Sequence, residues 1–250
     1  MGCQCVNKCG KENGDIEKQF DDVKSTDQYL NSNNSNNKNS LRINDFKLYS
    51  PKNNIDLQYI TRNLSFSLYE LINKIRTNPK YFIDIIKEWK NKIIKKENKY
   101  LLPITNDVFI TLNKGPIAFD ECINYLNELN NMGALIMKDE LNVDIKGNIQ
   151  ENSEESEYTS FSFLEKIIKL KKKELEKNKK SLKITAFHYD KSCDNPQISL
   201  LLQIVDDNIG DCTRRKNLLN PNFNYIGVSC VNIKENIFCY YCLFANKKNK

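Results

Sequence analysis

The sequence has a single histidine, and no run in it approaches the about 18 uninterrupted apolar residues of a membrane-spanning helix. One histidine excludes any centre that draws two histidines from a single chain. The N-terminus has no apolar segment of the kind that marks a secretory signal, so a cytosolic, reducing compartment is expected. Glycine and proline are scarce, 8 and 6 in 250 residues, while asparagine and lysine abound. That balance predicts polar insertions around a smaller folded core.

What is present is globular in character. Hydrophobic residues make up 40% and charged residues 28%, enough for one large domain or two small ones. The net charge is +6, and Phe161 to Lys183 alone carries nine lysines against three glutamates. Basicity is therefore the property of one segment, and no nucleic-acid partner is expected.

Three of the nine cysteines fall in the opening MGCQCVNKCG. Loss of Met1 would expose Gly2, the acceptor for an N-terminal myristoyl chain, with Cys3 and Cys5 beside it as palmitoylation sites. Val6 stands where that motif takes serine or threonine, and Lys8 is a favourable basic neighbour. One myristoyl chain binds membranes only marginally, so a second acyl group at Cys3 or Cys5 is what would hold the chain stably. The rival uses are weaker. A C-x-C-x3-C triplet lacks a fourth zinc ligand, and disulfides need an oxidising compartment. The other six cysteines read as small buried hydrophobes or free thiols.

Residues 11 to 58 are polar and irregular, with six asparagines in the ten residues 31–40. Such a stretch buries too little to offset its ordering entropy, so 1–58 is expected to be an acylated, flexible tether and 59–250 the folded domain. From Leu64 onward Leu68, Leu71, Ile72 and Ile75 recur at helical spacing, with Ser65 or Ser67 as cap. Thr77 before Asn78 and Pro79 reads as the N-cap of a second helix, YFIDIIKEWKNKII. A third helix is expected from about Phe119 to Met132, closing at Gly133. Residues 138–160 are acidic and aperiodic, a loop. After them Leu164, Ile167, Ile168, Leu175 and Leu182 set an amphipathic stripe in a lysine-rich helix, so that about 138–183 forms a charged insertion. A strand SLKITAFHYD, a helix PQISLLLQIVDD and a hairpin of YIGVSCVNI and IFCYYCLFA complete an α/β or α+β domain.

Few residues carry an obvious chemistry. Asp206 and Asp207 are adjacent, and adjacent residues do not face one another on a helix, so they read as partners of local backbone or of the next cations. Arg214, Arg215 and Lys216 form a cation cluster best matched to Asp206, Asp207 and Asp211. Cys239 and Cys242 have C-x-x-C spacing, but strand residues three apart point to opposite faces, which argues against chelation.

Two stretches go further. LYELINKIRTNPKYFIDII resembles the first helical region of the CAP superfamily (cysteine-rich secretory proteins, antigen five, pathogenesis-related proteins). LLLQIVDDNIGDCTRRKNLLNPNFNYIGVSC resembles that family's helix ending in an acidic pair, followed by a Gly-His-Arg-Lys-Asn turn, Asn-Pro and a hydrophobic strand. GPIAFDECINYLNELNNMG is similar to a further family helix. The resemblance spans most of residues 64 to 245 and implies a three-layer α/β/α sandwich, in which many members hold a divalent metal between two histidines and two acidic residues while others bind sterols or fatty acids.

Carried over residue by residue, the resemblance implies a lost metal site. Its turn histidine falls on Arg214, which has no lone pair to give a metal. Its first histidine falls near Lys138, and its Gly-Glu-Asn strand near Ala186 and Phe187. A remodelled cleft of His188, Asp206 and Arg214, without metal or cofactor, is what remains. The expectation is a non-catalytic CAP-like domain at the cytosolic face of a cellular membrane, binding a lipid, a sterol or a protein partner. Two alternatives stand beside it: a peptidase- or esterase-like hydrolase around His188, and a scaffold that docks partners through the lysine-rich helix.

Overall fold

The first periodic run becomes helix α1, Asn54–Thr77, with Leu68, Ile72 and Ile75 fully buried and Lys74 and Arg76 in its last turn. Those cations suit the negative end of the helix dipole. The computed structural model describes residues 54–104, 108–143, 161–178, 181–207, 210–234 and 237–247. Gly2, Cys3, Cys5, the asparagine-rich tether and most of the predicted acidic loop lie outside them.

Several local expectations are corrected. The helix begins at Asn54, upstream of the boundary drawn at residue 58, so neither Ser65 nor Ser67 caps it. Ser65 sits mid-helix and donates back to the Thr61 carbonyl. Thr77 does not cap the next helix: its hydroxyl donates to the carbonyls of Asn73 and Lys74. Asn78 leads a single 3-10 turn, Pro79–Phe82, and α2 runs only from Ile83 to Lys90. Ile94, the last residue of that run, enters a strand, because it finds a cross-strand partner in Leu101.

That strand opens a three-stranded antiparallel meander: β1 Ile94–Lys96, β2 Lys99–Pro103 and β3 Phe109–Leu112. Leu102, Ile110 and Leu112 join the main core. Helix α3 runs from Pro116 to Glu128, earlier than its pattern indicated, with Pro116 supplying the first turn. Gly133 lies beyond the helix at φ +76 and gives its carbonyl to Arg76.

The principal sheet has the order β4-β6-β7-β5. Strand β4, Ile136–Met137, pairs in parallel with β6, Tyr225–Lys234, which forms the expected hairpin with β7, Ile237–Lys247. Strand β5, Leu182–Ser192, lies antiparallel on the other side of β7. The lysine-rich segment forms helix α4, Phe161–Lys177, followed along the chain by α5, Pro196–Val205, and α6, Thr213–Leu218. Among the described residues helices and sheet are thus mixed, an α/β fold.

Because strand side chains alternate, the sheet has two buried faces. Ile226, Val228, Tyr240, Cys242 and Phe244 pack with α1, α3 and α5 in the larger core. Val231, Cys239, Tyr241 and Leu243 pack on the other face with Ile167 and Leu175 of α4. Strand β7, buried on both faces, is accordingly apolar without alternation. Cys239 and Cys242 stand in different cores, the opposite orientation anticipated from their spacing.

Candidate functional site

Helix α5 begins where Asn195 accepts hydrogen bonds from the amides of Gln197 and Ile198, with Pro196 in the first turn. It ends at Asp206, a left-handed C-cap at φ 52 and ψ 40, a conformation that aspartate tolerates better than most residues. This turn aims the carboxylate at the start of α6. Its Oδ2 accepts the amides of Arg214 at 2.8 Å and Arg215 at 3.2 Å, and its Oδ1 accepts Arg214 Nε at 2.7 Å. Asp207 turns the other way and receives the amides of Asn113 and Lys114 after β3. The acidic pair therefore works as two separate anchors, and the expected local pairing holds for Asp206 and is corrected for Asp207, whose partners lie 93 and 94 residues away in sequence.

Arg214 extends the first anchor into the sheet. Its Nη1 donates to Asp190 Oδ1 at 2.8 Å. Asp190 Oδ2 accepts the Ser199 hydroxyl at 3.2 Å, Ser199 Oγ accepts Gln203 Nε2 at 2.8 Å, and Gln203 Oε1 meets His188 Nε2 at 2.8 Å. The line runs from β5 across α5 to α6. It closes because His188 and Asp190 share a strand face at i and i+2, while Ser199 and Gln203 share a helix face at i and i+4. Every member is buried except Arg214, whose side chain is 13% exposed.

Electrostatics follow from that burial. Desolvation pushes His188 down to about 3, helped by the nearby Arg214 charge and opposed by Gln203, so the imidazole is neutral at physiological pH. With Gln203 Oε1 as acceptor, His188 Nε2 carries the proton, which leaves Nδ1 buried without a partner. Desolvation pushes the Asp190 carboxyl up to about 6, with Arg214 and the Ser199 hydroxyl holding it lower than burial alone would.

All three predicted cleft residues, His188, Asp206 and Arg214, thus fall in one connected chain of bonds, and Lys138 does not join them. Its ammonium lies 5.5 Å from the ring centre of Tyr225. The predicted pairing of the cation cluster is corrected in part. Arg215 serves the carbonyls of Ile204 and Val205 and faces the Tyr125 ring, and Asp211 accepts from Thr213. Asp190, Ser199 and Gln203 escaped the sequence reading. The spacings H-x-D and S-x-x-x-Q were the available signal.

A second polar knot joins the two stretches that carry the family resemblance. Asn73 pairs with the backbone of Leu135, accepting its amide at 2.8 Å and donating to its carbonyl at 3.0 Å. Arg76, 0% exposed, donates to the carbonyls of Gly133, Leu218, Asn220 and Phe223. The LNPNF segment is thereby tied to the end of α1.

No family model, curated protein or solved structure matches this chain. Its chemistry must be read from its own geometry. Arg214 offers only donors, and among the groups it serves are its own Asp190 and Asp206. A general base needs an accessible lone pair, and His188 is 7% exposed. Among the described residues, no group of three or more His, Cys, Asp or Glu side chains is arranged to hold a metal, and no helix is long and apolar enough to cross a membrane. On α4, by contrast, Lys166, Lys169 and Lys173 flank Leu170, which is 42% exposed.

Proposed function

We propose that this chain is a non-catalytic, CAP-like binding domain held at the cytosolic face of a membrane by acyl chains on Gly2 and on Cys3 or Cys5, where it binds a lipid, a sterol or a protein partner. The observation that carries the non-catalytic part is the line from His188 through Gln203, Ser199, Asp190 and Arg214 to Asp206. The residues that the resemblance assigns to a cleft are tied into this internal line of hydrogen bonds, with His188 Nδ1 the one buried atom of the line left without a partner among the described residues. Helices on both faces of the principal sheet, and the tie between Arg76 and the LNPNF segment, also support the family reading.

The anchor rests on the sequence of residues 2–8. Intact mass of the chain purified from its own cells should show added acyl mass, and Gly2→Ala with Cys3→Ser and Cys5→Ser should move it from the membrane to the soluble fraction. An unmodified mass with a soluble distribution would reject the anchor. One observation favours the hydrolase reading, the unpartnered Nδ1 of His188. A peptidase or esterase activity lost in His188→Ala, with the fold intact, would put that reading in its place.

A further inference from the structure

Strand β6 is longer than the neighbour on its outer side. Strand β4 covers it only at Tyr225 and Ile226, where Ile136 donates to the Asn224 carbonyl and Lys138 to the Ile226 carbonyl. Backbone groups alternate along a strand, so if residues 224 and 226 bond outward, residues 228 and 230 point outward too. Among the described residues no strand pairs with that part of the edge. Chain 138–141 turns away there in a 3-10 turn, Asp139–Leu141, passing so close over Gly227 that a Cβ at that position would meet the Leu141 backbone at 2.5 Å.

This part of the edge lies at the bottom of a slot of about 510 Å³, where Val228 to Val231 are themselves buried. One wall is the first half of α1, with Arg62 and Phe66, and the other is Asp139 to Val143, anchored where Val143 donates to Ser229 Oγ at 2.7 Å. Val228, Ser229, Cys230 and Val231 form the floor. This floor has none of the charged residues that commonly protect an edge. The sheet's other outer strand, β5, carries Lys183 and Lys191 and is contacted by α4, α5 and α6. In the slot wall, Asn142 Oδ1 is buried without a hydrogen-bond partner.

We infer that the slot between α1 and the outer edge of β6 binds an extended peptide segment of a partner protein by strand addition, with a carboxylate of that peptide set against Arg62. A row of main-chain donors and acceptors that no described strand pairs specifies another extended backbone rather than a lipid. The walls restrict the occupant to a single strand. A second copy of this chain would bring its own α1 and its own 139–143 turn along with its β6 edge, and these do not fit between the walls. Alternate side chains of the peptide would meet Phe66 and Met137 on the α1 side and Val143 on the other. Asn142 Oδ1 would accept a peptide N–H. This inference names a partner class for the binding domain proposed above and rests on that reading only for its biological use, since neither acylation nor the state of His188 enters it.

Amide hydrogen exchange on the full chain, followed by NMR, tests the edge without any ligand. The amides of Val228 and Cys230 should exchange on the order of 100-fold faster than those of Ser229 and Val231, which bond to β7. Equal protection would mean that the edge is already covered and would overturn the inference. A displayed library of linear dodecapeptides, selected on the full chain, supplies the ligand. Selected peptides should protect Val228 and Cys230, and both Arg62→Ala and Phe66→Ala should weaken them about tenfold, or 1.4 kcal/mol. N-methylation of the peptide on its bonding edge should abolish binding, and on its free edge should not. Failure to select a saturable binder, or binders that leave both amides unprotected, would overturn it. An unmodified N-terminus would reject the anchor and leave these outcomes untouched.

Discussion

Two arginines at the heart of this protein keep different company, Arg76 fully buried and Arg214 partly so. Arg76 meets only backbone carbonyls, and burial lowers it to about 10, so it remains a cation at neutral pH with no carboxylate among the partners of its guanidinium. Arg214 lies between the carboxylates of Asp190 and Asp206. The first arginine ties three segments of chain together. The second neutralises acids that would otherwise be costly to bury. In sequence both lie a few residues before an Asn-Pro, and it is their acceptors that set their roles apart.

The largest expected effect breaks the first arginine. Arg76→Met leaves up to four carbonyls without their donor and should destabilise the chain by about 4 kcal/mol, with little dependence on pH because no acid is released. Denaturant unfolding at pH 5 and pH 8 measures both points. A strong pH dependence would show that Arg76 has an acidic partner after all.

Arg214→Met should cost about 3 kcal/mol at pH 8 and distinctly less at pH 5. The sign follows from the acids left behind. Without the cation, burial raises Asp190 further above its unfolded value, so the penalty is present above the folded pKa and disappears as pH falls through it. An equal cost at both pH values would refute the comparison.

His188 shows the opposite sign. Its folded value near 3 lies below the ordinary 6.5, so as pH falls through 6.5 the unfolded chain takes up a proton that the native chain refuses, and stability is lost. Between pH 7 and pH 5 the stability of the wild type relative to His188→Gln should fall by about 2 kcal/mol. Asp190, raised in the fold, works against this in both proteins, which is why the difference rather than either profile is the measurement. A pH-independent difference would indicate that His188 titrates freely.

The smallest effect lies mid-line. Ser199→Ala removes a hydroxyl that gives one bond and takes another, and should cost about 1 kcal/mol at neutral pH. A cost above that of Arg214→Met would make the serine, not the ion pair, the centre of the site.

Much of the fold was legible locally. The spacing of Leu68, Ile72 and Ile75 marked α1, and the β-branched and aromatic runs flanking KEN marked the β6–β7 hairpin. The meander, strand β4 and helix α6 were not legible. Ile94 continues a helical pattern and becomes a strand only because Leu101 stands opposite it. In the site, His188, Asp206 and Arg214 were found, while Asp190, Ser199 and Gln203 were not, since a hydrogen-bonded line across a strand and two helices has no single spacing in sequence.

By itself the sequence determined which segments could bury a face, that only one histidine was available, and that Asp206 would be engaged by the cations just after it, whereas its neighbour Asp207 bonds backbone at Asn113 and Lys114. These depend on composition and on periods of 2 and 3.6 residues, which are fixed along the chain. Only tertiary structure decided which carbonyls receive Arg76, that Asp190 shares Arg214 with Asp206, and that β4 stops short and leaves the β6 edge in a slot. Those outcomes depend on backbone brought together from positions up to 147 residues apart, and nothing within one segment specifies its distant partner.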